Sequence, residues 1–292
     1  MTAQIIDGKA IAQIIRTEVA AEVTKRTAGG KLRPTLATVL VGDRADSAAY
    51  VSSKGKACME LGMGSISEHL PADSTQAQVE ELVKRLNADP FVSGILVQLP
   101  MPAQIDEERV LSLINIEKDV DGFSPVNIGR LAQKGRQPLF VPCTPYGCIY
   151  LLEQADVKIE GANAVVLGRS NIVGMPAALL LISRNATVTV CHSRTRDLPG
   201  MVRQADILIA AIGKTEMVRG DWIKPGAAVI DVGINSVPDA SKKSGHRLVG
   251  DVKFDEASQV AGWITPVPGG VGPMTIAMLM KNTLRAAQIQ QP

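Results

Sequence analysis

The sequence predicts an α/β fold in two domains, each organised around a parallel sheet, and three observations lead to this expectation. Segments with the pattern of strands alternate with segments with the pattern of helices, which is typical of parallel sheets. A glycine-containing turn between a strand and a helix, VVLGRSNIVGMP at 165–176, lies in the second half. The chain has 292 residues and 46% hydrophobic content, enough for two cores. We therefore predict a first domain over 1–143, a Rossmann-like nucleotide-binding domain over 144–270, and a helix over 271–292 that returns to the first domain.

Apolar periodicity and end signals define the elements of the first half. In chain order they are a helix over 8–28, a strand over 35–42, a helix ending near 61–62, a helix over 75–89, a strand over 92–100 and a helix over 106–114. Asp46 or Ser47 can cap the second of these helices. Because ligands bind at the carboxyl ends of parallel strands, the strand ends at 41–42 and 97–100 are the predicted rim of a site.

The second half begins with a segment, PLFVPCTPYG at 138–147, that is predicted to be rich in loops. The elements after it are predicted as strands over 163–168, 187–192, 205–213 and 227–235, with a helix over 173–185. The last helix carries apolar residues at 276, 279, 280 and 284. A terminal helix must bury such a stripe, which is why it is expected to fold back on the first half.

Composition excludes several classes of protein. The chain has 31 basic and 29 acidic residues and only 2 Trp, 3 Tyr and 4 Phe, which argues against nucleic acid as a partner. Its longest apolar runs are far shorter than the ~18 residues of a membrane helix, and the amino terminus lacks the pattern of a secretory signal. Four cysteines without a CxxC and three scattered histidines argue against disulfides and a metal site. We expect a cytoplasmic enzyme with free thiols.

The turn VVLGRSNIVGMP is the candidate dinucleotide site. Gly168 and Gly174 permit a tight turn and close approach of a phosphate to the start of the next helix. The turn is not GxGxxG, so an ordinary strand-to-helix connection stays open as an alternative. About 20 residues further on, where an NAD site has an acid, the sequence is CHSRTR. Arg169, Ser193 and Arg194 would instead accept a 2′-phosphate, which favours NADP over a merely solvated basic loop.

Three further stretches carry residues suited to chemistry. In DSAAYVSSKGK, Tyr50 and Lys54 share one face of a helix, although a helical lysine is most often a solvated charge. KDVDGF offers Asp119 and Asp121, between which spacing alone does not choose, and a loop aspartate before glycine is commonly a turn former. PVPGGVG at 266–272 would let a flat ligand pass close to backbone, or act as a hinge.

Taken together, these motifs resemble one enzyme family over nearly the whole chain. They are YVSSK, GILVQLP, KDVDGF, PCTP, GRSNIVG, CHSRT, WIKPGAAVIDVGIN and ITPVPGGVGPMT. The combination resembles the bifunctional methylenetetrahydrofolate dehydrogenase/methenyltetrahydrofolate cyclohydrolase family. The resemblance implies oxidation of 5,10-methylenetetrahydrofolate by NADP⁺, followed by hydrolysis of the methenyl product to 10-formyltetrahydrofolate. It also implies a homodimer and a place in one-carbon metabolism and purine biosynthesis.

The resemblance assigns roles to individual residues. It implies that Lys54 is the cyclohydrolase catalyst, that Tyr50 lies against the folate, that Gln98 supports Lys54 and that Asp121 grips the pterin. The other residues that it implies to bind substrate are Val97, Leu99, Pro268, Gly269, Gly270, Val271 and Gly272. The residues that it implies to bind the cofactor are Gly168, Arg169, Ser170, Ser193, Ile234 and Thr275.

The residue types suit these roles. A pterin edge presents two donors side by side, and one carboxylate accepts both. Hydride transfer needs mainly placement, whereas hydrolysis needs a group that takes a proton from water and returns one as the ring opens. An amine whose pKa is lowered by burial and by a cationic intermediate can do both.

Two positions depart from the family pattern. Met175 stands where the family commonly has lysine, which puts the strength of cofactor binding in doubt, and Ser124 stands where histidine is common. Two other functions are alternatives: an NADP dehydrogenase of a small polar acid, similar to shikimate-type enzymes, and a non-enzymatic paralogue. An anionic substrate would favour arginine over Asp121, and a non-enzyme would have lost Lys54 and Gln98.

Overall fold

The computed structural model describes residues 2–242 and 245–291. The helices in these ranges are α1 (Gly8–Ala28), α2 (Ala45–Glu60), α3 (Gln76–Ala88), α4 (Glu107–Ser112), α5 (Pro125–Leu131), α6 (Cys143–Gln154), α7 (Gly174–Ser183), α8 (Leu198–Val202), α9 (Phe254–Ala257) and α10 (Val271–Gln290). The strands are β1 (Gln4–Ile5), β2 (Thr35–Val41), β3 (Gly64–Leu70), β4 (Gly94–Val97), β5 (Asn163–Leu167), β6 (Thr187–Cys191), β7 (Ile207–Ala210), β8 (Ala228–Asp231), β9 (Asn235–Pro238), β10 (His246–Val249) and β11 (Trp263–Ile264).

The chain forms two compact units. One, the three-strand unit, comprises Gln13–Cys143 with the described residues from Ile276 onward. The other, the six-strand unit, comprises Thr144–Thr275 with the described residues up to Ala12. Two-domain α/β architecture is therefore confirmed, while the boundaries at 143 and 270 stay a prediction.

The three-strand unit has the parallel sheet β3-β2-β4 as its centre. Strand β2 is central and almost wholly buried, as its run of apolar residues predicts. Helix α3 begins at a capping box in which Thr75 and Gln78 satisfy each other's backbone N–H groups. Because β2 and β4 are parallel neighbours, their carboxyl ends lie side by side, and the segments that follow them lie at one edge of the sheet.

The last helix belongs to this unit over most of its length. Asn282 donates from Nδ2 to the carbonyl oxygens of Val120 at 2.8 Å and Val141 at 3.0 Å. Leu279, Met280 and Leu284 are buried as the apolar stripe predicted. The prediction that this helix returns to the first half is confirmed.

The six-strand unit contains a wholly parallel sheet in the order β1-β11-β8-β7-β5-β6. Strand β6 lies on one side of β5 and β7 on the other, so the strand order reverses between β5 and β7. In such sheets ligands bind outside the carboxyl ends of the strands at this reversal. Strands β9 and β10 form a separate antiparallel hairpin.

Several local expectations were wrong. Helix α2 begins after Arg44, which has no side-chain capping bond, and Asp46 lies in the first turn, where a negative charge is favourable. Helix α6 starts at Cys143 inside the segment expected to be loop, because proline is tolerated in a first turn. Strand β4 spans only Gly94–Val97 of the expected 92–100.

Two kinds of feature are absent from the part of the chain that the structure describes. No helix there is long and apolar enough to cross a membrane. No group of three or more His, Cys, Asp or Glu residues in the described ranges is arranged to hold a metal ion.

Candidate active site

Lys54 and Gln98 meet in the three-strand unit. Lys54 lies on α2, which follows β2, and Gln98 follows β4, the neighbouring strand. Lys54 Nζ donates to Gln98 Oε1 at 2.9 Å, and Gln98 Nε2 donates to the Leu99 carbonyl at 2.7 Å. The backbone N–H of Gln98 donates to the Val39 carbonyl at 2.8 Å. Gln98 is thus fixed by the sheet and in turn orients the amine without adding charge.

Burial shifts the pKa of Lys54 downward more than its charged neighbours shift it upward. Burial lowers the pKa of the half-buried Lys54 amine, and the nearby groups of Asp121 and Cys143 act in the opposite direction. A lysine with a lowered pKa exchanges protons nearer to neutral pH than a solvated lysine does. The amine is therefore suited to general acid and base work.

The structure separates the roles of the two aspartates in KDVDGF. Asp119 is buried, and its carboxylate accepts hydrogen bonds from the N–H groups of Phe123 at 3.2 Å and Ser124 at 2.8 Å, and from Asn127 Nδ2 at 2.8 Å. Burial raises the pKa of Asp119 to about 6 against these hydrogen bonds. Asp119 therefore holds the loop that carries Asp121.

Asp121 has different neighbours. Its carboxylate lies beside the Cys143 thiol and near Lys54; burial raises its pKa, and both of these groups act to lower it. Asp121 is also more exposed than Asp119. Of the two carboxylates, Asp121 is the one that lies near the Lys54 amine.

Two buried asparagines support this arrangement, and motif reasoning missed both. Asn127 accepts at Oδ1 from the Leu139 N–H at 2.9 Å, in addition to its bond to Asp119. Asn282 holds the carbonyl of Val120, the residue before Asp121. An asparagine within the apolar stretch of α10 was the available signal, since a buried amide requires partners.

The remaining predicted substrate residues of this unit, Tyr50, Val97 and Leu99, differ in their exposure. Tyr50 lies one helical turn before Lys54 on α2, and its side chain is 46% exposed. Leu99 is half-buried, whereas the side chain of Val97 lies in the hydrophobic core.

In the six-strand unit, the predicted cofactor turn follows β5 at the reversal of strand order. Gly168 has a φ of +112°, and an added Cβ there would collide with the Ala211 carbonyl oxygen. An added Cβ on Gly174 would collide with the Gly168 carbonyl. The Ser170 hydroxyl accepts from the N–H groups of Val173 and Gly174 and closes the start of α7. The turn is therefore tightly closed and needs both glycines.

The polar groups around this turn face outward. Arg169, Ser170, Ser193 and Arg194 are exposed, and Ile234, after β8, is 45% exposed. The cationic and hydroxyl groups follow two neighbouring strands, β5 and β6. Such an arrangement suits an anionic group such as a 2′-phosphate.

The loop Pro268–Gly272 and Thr275 also belong to the six-strand unit, whereas Lys54 and Asp121 belong to the three-strand unit. Gly269 has a φ of +111°, and its carbonyl accepts from the Lys9 N–H at 2.9 Å. The hydroxyl groups of Thr275 and Thr144 lie 2.9 Å apart. The loop is thus anchored at the start of α1.

Comparison with protein families gives two matches. The family model described as "Tetrahydrofolate dehydrogenase/cyclohydrolase, catalytic domain" matches residues 6–121. The model described as "Tetrahydrofolate dehydrogenase/cyclohydrolase, NAD(P)-binding domain" matches residues 142–291.

Individual relatives are similar over nearly their full length. The chain is 59% identical over 287 residues to bifunctional protein FolD 2 of Arabidopsis thaliana, covering 98% of this chain and 96% of the relative. It is 57% identical to bifunctional protein FolD of Moorella thermoacetica, covering 99% and 100%. The solved structure of Trypanosoma brucei methylenetetrahydrofolate dehydrogenase-cyclohydrolase, complexed with NADP cofactor and inhibitor, superposes with a TM-score of 0.95 at 48% identity, covering 99% and 98%.

Proposed function

The chain belongs to the tetrahydrofolate dehydrogenase/cyclohydrolase family, and we propose that Lys54, Gln98 and Asp121 carry its chemistry. The enzyme oxidises 5,10-methylenetetrahydrofolate with NADP⁺ and hydrolyses the resulting methenyltetrahydrofolate to 10-formyltetrahydrofolate. The observation that carries the proposal is the 2.9 Å hydrogen bond from Lys54 to Gln98, with Asp121 close enough to influence the pKa of the amine.

Asp121 binds the pterin. The 2-amino group and the adjacent ring N–H of a pterin are two parallel donors, and a carboxylate accepts both. Asp119 supports this assignment, because its own acceptor positions are engaged by Phe123, Ser124 and Asn127. Asp119 thereby fixes the loop, and Asp121 is left to the ligand.

Lys54 is the acid and base of hydrolysis. The neutral amine takes a proton from the attacking water and returns it to the nitrogen that leaves as the ring opens. Gln98 keeps the amine in place. Tyr50, on the same helix as Lys54, stacks on the folate. The loop Pro268–Gly272 stays a predicted contact of the substrate.

The six-strand unit binds the dinucleotide. Its exposed Arg169, Ser193 and Arg194 fit a 2′-phosphate, and the sharp turn at Gly168 leaves the start of α7 near that site. The bound NADP⁺ supplies the acceptor for the hydride of the methylene carbon. Ser170, Ile234 and Thr275 complete the proposed contacts.

The experiment is a two-signal assay with purified enzyme and methylenetetrahydrofolate. We expect prompt formation of reduced dinucleotide with NADP⁺ and no lasting absorbance of the methenyl species, because Lys54 hydrolyses it. NAD⁺ in place of NADP⁺ is the matched control, and a lower kcat/KM is expected since it lacks the phosphate. No reduction of either dinucleotide would contradict the function, and equal use of both would contradict the roles of Arg169 and Arg194.

The homodimer is proposed on the position of β6. This strand lies at the edge of the six-strand sheet, so one side of its backbone is available for pairing with a second copy. Light scattering on the purified enzyme is expected to give twice the mass of one chain, 30.9 kDa. A monomer at micromolar concentration would contradict this.

A cytoplasmic location and a supply of formyl groups to purine biosynthesis complete the proposal. All four cysteines are free and buried, which suits a reducing compartment. Detection of the enzyme in an organelle or secreted fraction would contradict the location. Growth of a deletion strain without added purines would contradict the metabolic role.

A further inference from the structure

Two buried carboxylates in the six-strand unit have no part in the chemistry above. Asp231 ends β8 and is 4% exposed, and Asp251 follows β10 and is 0% exposed. Burying two acidic groups near each other is unfavourable unless their surroundings supply donors. The hydrogen-bond donors around these two carboxylates therefore indicate which backbone segments the pair keeps in position.

Asp251 accepts hydrogen bonds from two separate segments, the loop after β7 and the start of β9. Its Oδ2 accepts from the N–H groups of Ile212 at 2.7 Å and Gly213 at 2.9 Å, and its Oδ1 accepts from the Lys214 N–H at 2.9 Å. Oδ1 also accepts from Asn235 Nδ2 at 3.0 Å. One carboxylate thus ties the loop after β7 to the segment after β8.

Asp231 anchors Asp251 in turn. It accepts from the backbone N–H groups of Gly233 at 3.0 Å, Asp251 at 2.9 Å and Val252 at 2.9 Å. Its own N–H donates to the Thr265 hydroxyl at 2.8 Å. Burial raises the pKa of Asp231 to about 7, and the charge of Asp251 acts in the same direction.

Two glycines make room for this pair. An added Cβ on Gly250 would collide with the Asp231 carboxylate, and an added Cβ on Gly233 would collide with the Asp251 carboxylate. Asp231 therefore packs against Gly250, the residue before Asp251. Asp251 packs against Gly233, which lies two residues after Asp231. The segments DVG at 231–233 and GD at 250–251 thus pack directly against each other.

The two segments held by Asp251 border the dinucleotide site. The loop after β7 lies at the reversal of strand order, and its Ala211 carbonyl packs against Gly168 of the cofactor turn. Ile234, a proposed cofactor contact, lies between Gly233, which Asp231 holds, and Asn235, which Asp251 holds. We propose that Asp251 is a positioning residue for NADP⁺, acting through the 212–214 loop and Ile234; this rests on the proposed cofactor site.

The variant Asp251→Asn tests the proposal, because an amide keeps the size of the side chain but replaces one acceptor oxygen with a donor that faces other donors. We expect the Kd for NADP⁺, measured by equilibrium dialysis, and the KM for NADP⁺ to rise roughly 3- to 30-fold, the range for residues that act without touching the ligand. Hydrolysis of methenyltetrahydrofolate without dinucleotide should keep its kcat/KM. Asp255→Asn, an exposed carboxylate of the same unit, should change neither.

Each outcome decides the matter. An unchanged Kd in folded Asp251→Asn overturns the proposal, and so does an equal loss of hydrolysis, which would indicate a general loss of structure. If Asp251→Asn fails to fold, Asn235→Ala removes one donor only; a raised Kd with intact hydrolysis supports the proposal and an unchanged Kd overturns it. A wild-type enzyme without either activity would instead refute the proposed function.

Discussion

Replacing Lys54 with methionine is expected to lower the rate of methenyltetrahydrofolate hydrolysis by roughly 10²–10⁴-fold, the usual contribution of a general acid or base. Methionine keeps the length of the aliphatic stem but cannot exchange a proton. Oxidation of methylenetetrahydrofolate needs placement rather than a base, so it should remain measurable. The methenyl species would then accumulate, and its absorbance measures the separation of the two activities.

Lys56→Met is the matched control for this variant, since Lys56 is an exposed lysine of the same helix two residues further on. It should leave both activities as in the wild type. Full hydrolysis in Lys54→Met would show that another group activates water. NADP⁺ binding, measured separately, should be unchanged in both variants.

The pH dependence of hydrolysis follows from the direction of the Lys54 pKa. The neutral amine is the active base, so the rate should rise with pH as Lys54 loses its proton. Because burial lowers this pKa, the rise should occur at lower pH than for a solvated lysine. Since Lys54→Met lacks the amine, this rise should be absent from its residual rate.

Replacing Asp121 with asparagine is expected to impair both activities together. The amide offers one oxygen where the pterin presents two donors, and its NH₂ group faces one of them. Losing a charge-assisted hydrogen bond and leaving a donor unpaired costs about 3–4 kcal/mol, or roughly 10²–10³-fold in kcat/KM for folate. The KM for NADP⁺ should stay the same.

Asp73→Asn, an exposed carboxylate of the same unit, serves as the control for Asp121→Asn. Steady-state kinetics with methylenetetrahydrofolate and with methenyltetrahydrofolate measure the two losses. A loss confined to one activity would refute a shared pterin site. Burial also raises the pKa of Asp121, so folate binding should weaken as pH falls and the carboxylate is protonated.

Strongly patterned elements of the fold were predictable from the sequence, and weakly patterned ones were not. Helix α1 and strand β2 have continuous apolar signals, and their predicted and observed bounds agree within one residue. Strand β3, GSISEHL, was missed because it carries few apolar residues and its burial alternates at the edge of the sheet. The hairpin β9-β10 is largely exposed and gave no hydrophobic pattern.

The pairing of Lys54 with Gln98 was implied by the family resemblance, and the strand arrangement explains it. Lys54 and Gln98 come after β2 and β4, whose parallel pairing brings their carboxyl ends together. Spacing did not choose between Asp119 and Asp121, because both lie in one short loop, and the choice of Asp121 rested on the family resemblance. Asn282 is recognisable as a polar residue in an apolar stretch, but its partner Val120 could not be predicted, since it is 162 residues away in sequence.

Both units are discontinuous in sequence, and this constrains how the protein is made on the ribosome. Strand β1, at Gln4–Ile5, pairs with β11 at Trp263–Ile264, so the first strand of the described residues to be synthesised waits for the last. The three-strand unit likewise lacks Asn282 until Thr144–Thr275 of the other unit has been synthesised. Neither unit corresponds to a contiguous stretch of the sequence, so each completes its core only after a distant part of the chain has been synthesised.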